Sequence, residues 1–269
     1  LSSRRPTEGA FEKFSRRYRP AIESRLAETL PLDESPLTGA MRTALLSPGK
    51  RVRGLVAVAS GRLFRGAEAA LLDLASAIES VHAASLVLDD LPSMDDGTLR
   101  RGAPAVHVQF GEATAILAAL ALINRAFQTL GAMPGAPAHV RARLVEELAR
   151  ALGEAGCCRG QHADLTADPV RSGLDELERI HALKTGALFV AAARGGAIAA
   201  RASEEEVEAV SRYAKNLGLA FQIVDDLLEE EADERQTGKK AHGEGHRANF
   251  ARILGAETAR TIAAELTEA

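Results

Sequence analysis

The sequence predicts an all-α fold, a single-domain helical bundle around a central hydrophobic cavity, and three observations carry that prediction. Apolar residues recur at three- and four-residue intervals along most of the chain, the period of an α-helix with one buried face. Two of the most apolar runs end in acidic clusters, VHAASLVLDDLPSMDD at residues 81–96 and FQIVDDLLE at residues 221–229. They read as two walls of one cavity with a charged mouth and a hydrocarbon interior. Neither a dinucleotide-binding nor a P-loop glycine pattern accompanies them, and no Ser/His/Asp or Cys/His constellation stands out.

Composition narrows the function classes. With 269 residues, 46% of them hydrophobic, the chain can bury a substantial core, and no Pro/Gly/Ser-rich linker divides it. Residues 1–269 are therefore expected to form one domain. The balance of 33 basic against 37 acidic residues, net charge −4, argues against a general nucleic-acid binder. The two adjacent cysteines, Cys157 and Cys158, provide no disulfide framework or zinc-finger spacing, so they read as small packing residues in a reducing, cytoplasmic setting. No stretch reaches the roughly 20 apolar residues of a spanning helix, so no transmembrane segment is expected. The start, LSSRRPTEG, lacks an apolar core and is no secretory signal. Without an initiator Met, it reads as a trimmed end, compatible with a removed transit peptide.

Along the chain, Phe11, Phe14, Tyr18, Ile22, Leu26 and Leu30 place an amphipathic outer helix over residues 8–30, stopped by Pro31. A second helix opens at Pro36 and pauses at Pro48 and Gly49. Lys50, Arg51 and Arg53 then stand at the start of an apolar helix over 55–64, where backbone donors and cations together make an anion site. Residues 67–88 read as one continuous helix, with His82 seven residues before Asp89 and so projecting in nearly the same direction. Pro92 ends or bends that helix, without which Asp89 and Asp95 would not share a face. The run 113–130, rich in Ala, Leu and Ile, is expected to be largely buried as cavity floor or dimer interface. GAMPGAP turns the chain into a helix over 138–155. In GQHADL, Gln161 and Asp164 read as hydrogen-bonding partners rather than ligands. A helix over 174–193 is interrupted by KTG, where a buried Lys184 needs an anion or carbonyl partner. Ser203 and Glu206 form a capping box for the last long helix, with Val207, Val210, Ala214, Leu217, Phe221, Val224 and Leu228 as its expected buried face.

Asp89, Asp90, Asp95 and Asp96 crowd four carboxylates into eight residues, an arrangement that calls for screening by cations. A hard divalent ion such as magnesium takes one or two carboxylates plus the oxygens of a phosphorylated substrate. Arg100 and Arg101 just downstream would hold the phosphates.

Taken together, SPGKRVRG (47–54), VHAASLVLDDLPSMDDGTLRRG (81–102), GQHADL (160–165), KTG (184–186), FQIVDD (221–226) and TGK (237–239) resemble, in order, the motifs of the trans-isoprenyl diphosphate synthases, most of all the bacterial geranylgeranyl type. The resemblance covers roughly residues 40–255. It implies an isoprenoid-synthase fold, a homodimer, and three magnesium ions per site together with bound diphosphate, the ligands being Asp89, Asp95 and Asp225. It implies that Lys50, Arg53, His82 and Arg101 hold isopentenyl diphosphate, while Arg100, Lys184 and Lys239 reach the allylic diphosphate. Thr185 and Gln222 would stabilise positive charge on the departing allyl group. Gly54 departs from the family's usual Pro, and Glu229 stands where many relatives have a third aspartate. The small Ala84 and Ser85, one turn before Asp89, would let a chain grow past fifteen carbons, which favours a geranylgeranyl product over a farnesyl one. A class I terpene cyclase is the neighbouring alternative, against which the Lys50 and Arg53 cluster argues. A non-catalytic partner subunit of a synthase is another, against which the survival of both aspartate pairs argues. The chain stops at Ala269 before the family's usual last helices, as a truncated or short-tailed member would.

Overall fold

The computed structural model describes residues 9–167, 173–237 (side chains as far as 231) and 249–268. Thirteen α-helices and one π-turn account for almost all regular structure in these residues. Helix α1 (Ala10–Glu28) buries Tyr18, Ile22 and Leu26, spaced four apart on one stripe. Full burial of each aliphatic side chain contributes roughly 1.5–3 kcal/mol. Helix α2 (Pro36–Leu45) starts with Pro36 in its first turn and Ser35 accepting from the Thr38 amide, the two N-terminal signals acting together. Helix α3 (Val52–Leu63) and α4 (Glu68–Asp89) follow.

The bundle is assembled around α4. Its hydrophobic residues occupy nearly every direction, and α1, α2, α3, α6 and α10 all pack against it. Beyond α4 a two-residue hairpin departs from the all-helical expectation. Strands β1 (Leu99–Arg100) and β2 (Ala103–Pro104) pair antiparallel, Arg100 opposite Ala103. The turn residues Arg101 and Gly102 both have positive φ, 54° and 79°, as a two-residue hairpin with the handedness of its strands requires. Then come α5 (Val106–Phe110), α6 (Glu112–Gly131), α7 (Ala138–Leu152) and α8 (Cys157–Thr166). Helix α9 (Leu174–His181) runs into the π-turn Ala182–Gly186 and on into α10 (Ala187–Ala199). Helix α11 (Glu204–Thr237) is closed off by α12 (Phe250–Leu254) and α13 (Ala256–Glu268).

Two expectations change. Helix α6 is not largely buried: Ile116, Leu117 and Leu120 lie exposed on one side, with Val108 of α5 also exposed. On α11 the capping box forms as expected, the Ser203 amide donating to Glu206 at 2.7 Å and the Glu206 amide to Ser203 Oγ at 3.3 Å. The buried face, however, rotates after Phe221. Ile223 and Leu227 are buried against Leu177, Phe250, Ala251, Ala259 and Ala263, while Val224 and Leu228 are exposed. The cause is the packing of α9, α12 and α13 on that side, which leaves the stripe of Phe221, Val224, Asp225 and Leu228 facing away from the core.

Candidate active site

The acidic wall at the end of α4 owes its shape to the break at Pro92. The chain turns back so that the Asp95 amide donates to the Asp89 carbonyl at 2.9 Å and the Asp96 amide to the Leu91 carbonyl at 3.1 Å. Asp96 sits at φ 51° to complete the turn. The two aspartates that a straight helix would separate are thus brought together. Asp90 faces the other way, nearly buried, and is gripped by the Arg100 guanidinium, whose Nε lies 3.1 Å from both carboxylate oxygens. Arg100 is therefore committed to Asp90 as well as bordering the cleft.

Asp89, Ser85, His82, Arg53, Arg100, Arg101, Lys184, Thr185, Gln222 and Asp225 line one cleft of about 300 Å³. Asp89 on α4 and Asp225 on α11 stand on its two sides. Burial pushes the Asp89 carboxyl up to about 6; the Asp95 and Asp90 charges push the same way, against Lys184 and Arg100. Burial also raises the Asp225 carboxyl, against the pull of Arg53 and Lys50. On both walls the cost of burying the carboxylate outweighs the pull of the neighbouring cations. Asp226, by contrast, is used within the fold: it accepts the Phe250 amide at 2.8 Å and Gln222 Nε2 at 2.8 Å. That separates the pair by role, Asp225 toward the cleft and Asp226 toward the C-terminal helices.

The π-turn carries KTG. Insertion of a residue into the helical ladder is frequent at functional sites, and here it directs both Lys184 and Thr185 into the cleft. Lys184 Nζ donates to Asp164 at 2.6 Å, the anion partner its burial demands. Thr185 Oγ1 donates to Gln222 Oε1 at 2.9 Å, so Thr185, Gln222, Asp226 and the Phe250 amide form one hydrogen-bonded chain. The backbone crowding is extreme at Gly160 of α8, where a Cβ would lie 2.2 Å from the Lys184 amide nitrogen. Only glycine lets α8 press against this turn.

A second, adjoining cleft of about 480 Å³ is lined by Lys50, Arg51, Arg53, Glu79, His82 and Arg101, and shares Arg53, His82, Arg101 and Phe221 with the first. Arg53 lies over the Phe189 ring at 4.7 Å and the Phe221 ring at 5.6 Å, a cation held by ring faces. Its Nη1 is 3.3 Å from His82 Nε2. A guanidinium has no acceptor, so Nε2 accepts, the proton sits on Nδ1, and His82 is neutral. Burial holds its pKa well below the usual range, with Arg53 adding to the effect. Arg101 reaches across to Ser47 Oγ at 3.1 Å and the Pro48 carbonyl at 2.6 Å. A third, more apolar cleft of about 270 Å³ continues from Asp89 and Ser85 past Leu88, Ile123, Leu152 and Leu165.

Of the residues the sequence singles out, Asp89, Asp225, Lys184, Thr185, Gln222, Arg53, His82, Arg100 and Arg101 meet at the first cleft, and Lys50 joins at the second. Asp95 is joined to Asp89 through the turn. Lys239 lies outside the described residues. Ala84 is not on the wall: it is fully buried in the core, and Ser85 alone of the two borders a cleft. Cys157 packs partly buried with its thiol pushed up to about 11 by burial, whereas Cys158 is exposed rather than packed. Sequence reasoning missed Glu79, whose signal was its place three residues before His82 on the same face of an apolar helix.

The donor set suits a hard cation: carboxylate oxygens whose pKa values are raised by burial, on both sides of one cleft. Among the described residues no three Asp, Glu, His or Cys side chains converge as a ready-made shell. That fits an ion which takes one or two carboxylates and completes its coordination with water and phosphate oxygens.

Residues 34–251 match the family model for polyprenyl synthetase. The chain is 40% identical over 266 residues to geranylgeranyl pyrophosphate synthase 11, chloroplastic, of Arabidopsis thaliana, covering 95% of this chain and 74% of the relative. It is 42% identical over 251 residues to farnesyl diphosphate synthase of Escherichia coli, covering 91% and 84%. Its fold superimposes on the crystal structure of an FPP/GFPP synthase from Zymomonas mobilis with TM-score 0.85 at 37% identity, covering 95% and 89%. With facing aspartate walls, a basic neighbour cleft and these likenesses together, the chain belongs to the polyprenyl synthetase family.

Proposed function

We propose that the protein is a prenyltransferase that condenses isopentenyl diphosphate with an allylic diphosphate to give a short-chain all-trans prenyl diphosphate. The observation that carries this reading is the presence of Asp89 and Asp225 on two sides of one cleft whose Arg53, His82 and Arg101 also belong to a second, basic cleft. Two adjoining anion sites are what a reaction between two diphosphates requires. A terpene cyclase needs one.

In this reading Asp89, Asp95 and Asp225 hold magnesium, which supplies charge neutralisation to the allylic diphosphate when bound. Lys184 and Arg100 hold the same diphosphate as negative charge builds on it. Lys50, Arg53, His82 and Arg101 hold the diphosphate of isopentenyl diphosphate, and Arg53 is kept in place by the Phe189 and Phe221 rings. The Thr185 hydroxyl and Gln222 amide, fixed to each other, set lone pairs beside the carbon that becomes positive. The allylic C–O bond breaks, the isopentenyl double bond forms the new C–C bond, and the proton lost from the adjacent carbon passes to the released diphosphate. The small Ser85 at the entrance to the apolar cleft favours a twenty-carbon geranylgeranyl product over a farnesyl one.

A homodimer completes the reading. The exposed Val108, Ile116, Leu117 and Leu120 form an apolar face of the kind an interface between subunits buries.

Incubation with magnesium, isopentenyl diphosphate and each allylic diphosphate in turn tests the proposal. The expected result is a linear product lengthened by isoprene units, ending at twenty carbons. Cyclised product from the allylic substrate alone would instead assign a cyclase, and no turnover a non-catalytic subunit.

A further inference from the structure

Beneath the basic cleft lies a carboxylate that the proposed chemistry does not use. Glu79 is 2% exposed, on the face of α4 one turn before His82. Its Oε1 accepts the Gly54 amide at 2.8 Å, in the first turn of α3. Its Oε2 lies 3.8 Å from Nη1 of Arg51, itself 6% exposed. Arg51 in turn donates from Nη2 to the Ser47 carbonyl at 2.8 Å and adopts φ 51° as the residue preceding α3. A left-handed arginine is sparsely populated and persists only where its surroundings hold it. The surroundings here are the Ser47 carbonyl and two carboxylates at 3.8 Å, the half-exposed Glu23 and the buried Glu79, of which only Glu79 also holds the first turn of α3.

The loop held in this way carries Lys50 and leads into Arg53, and Arg101 closes over it through Ser47 and Pro48. An anion at the base of an anion site weakens the local potential, yet a cluster of buried guanidinium groups with no counter-charge would repel itself apart. We propose that Glu79 is a positioning residue of the second diphosphate site. It fixes the left-handed turn at Arg51 and the first turn of α3, so that Lys50, Arg53 and Arg101 converge on one diphosphate. The Gly54 amide is part of the device, because proline at that position would have no N–H to donate. The inference rests on the two-diphosphate reading above, and the readout is chosen to separate the two.

The test is calorimetric binding of inorganic pyrophosphate in EDTA, which removes the cation-dependent side, alongside magnesium-dependent binding of an allylic thiodiphosphate. Glu79→Gln is expected to weaken pyrophosphate binding by at least ~10-fold, the scale of a hydrogen bond to a charged group, and to leave the allylic analogue within about twofold. Glu79→Asp, which keeps the charge and shortens the reach, should fall between Glu79→Gln and wild type. Should Glu79→Gln not fold by circular dichroism, the same comparison is read from Glu79→Asp. Unchanged pyrophosphate affinity in the folded variant overturns the inference, and so does an equal loss at both sites, which marks general destabilisation. Wild-type protein that binds pyrophosphate but condenses nothing overturns the two-substrate reading while the Glu79 inference stands. Wild-type protein that binds no pyrophosphate in EDTA overturns both.

Discussion

Asp89 shows how a residue lining the candidate active site works against the fold that carries it. Its carboxyl is raised from 3.8 in the unfolded chain to about 6 in the folded one, mainly by burial. The folded state therefore holds the proton more tightly, and this group costs the metal-free protein stability as pH rises through the window from about 4 to about 6. Asp89→Asn is expected to abolish turnover yet raise the melting temperature of the metal-free protein at pH 7, by a few degrees on the scale of ~1.4 kcal/mol per pK unit. The difference in melting temperature between variant and wild type should grow between pH 4 and pH 6, and a constant difference would contradict the assignment. The position of Asp89 in the site was legible from its neighbours in sequence. The separate roles of Asp90 and Asp226 were not, since only tertiary packing brings Arg100 onto one and the Phe250 amide onto the other.

At the scale of elements, two helices and a turn define the cavity. The π-turn at KTG is pressed by α8 through Gly160, so Gly160→Ala is expected to lower the melting temperature strongly and reduce turnover together, as the added methyl has no space beside the Lys184 amide. On α4 the adjacent small residues separate. Ser85→Phe, at the entrance to the apolar cleft, should shorten the product as measured by chain-length analysis. Ala84→Phe, in the packed core, should destabilise by about 1–3 kcal/mol without a specific change in product length. Periodicity located the long helices as far as α11, because the 3.6-residue repeat is local, and left α13 unread. It misplaced the lower face of α11, because a stripe of apolar residues does not say which flank is core and which is cleft wall. Here α12 and α13 decide the matter from more than twenty residues away in sequence.

For the whole molecule, the arrangement is a bundle that brings the acidic end of α4 and the acidic stretch within α11 to one opening, with a basic site on one side and an apolar recess on the other. The exposed apolar flank of α5 and α6 belongs to this scale as well. Leu117→Glu with Leu120→Glu should convert a dimer to monomer in sedimentation velocity, and a dimer unaffected by both changes would place the interface elsewhere. The central claim is that Asp89 and Asp225 act on one diphosphate from two walls, and the most direct measurement is magnesium-dependent binding of an allylic thiodiphosphate to Asp89→Asn and Asp225→Asn separately. Each variant is expected to lose at least ~10-fold in affinity, the loss of one charge-assisted contact. Full affinity retained by either would contradict the claim.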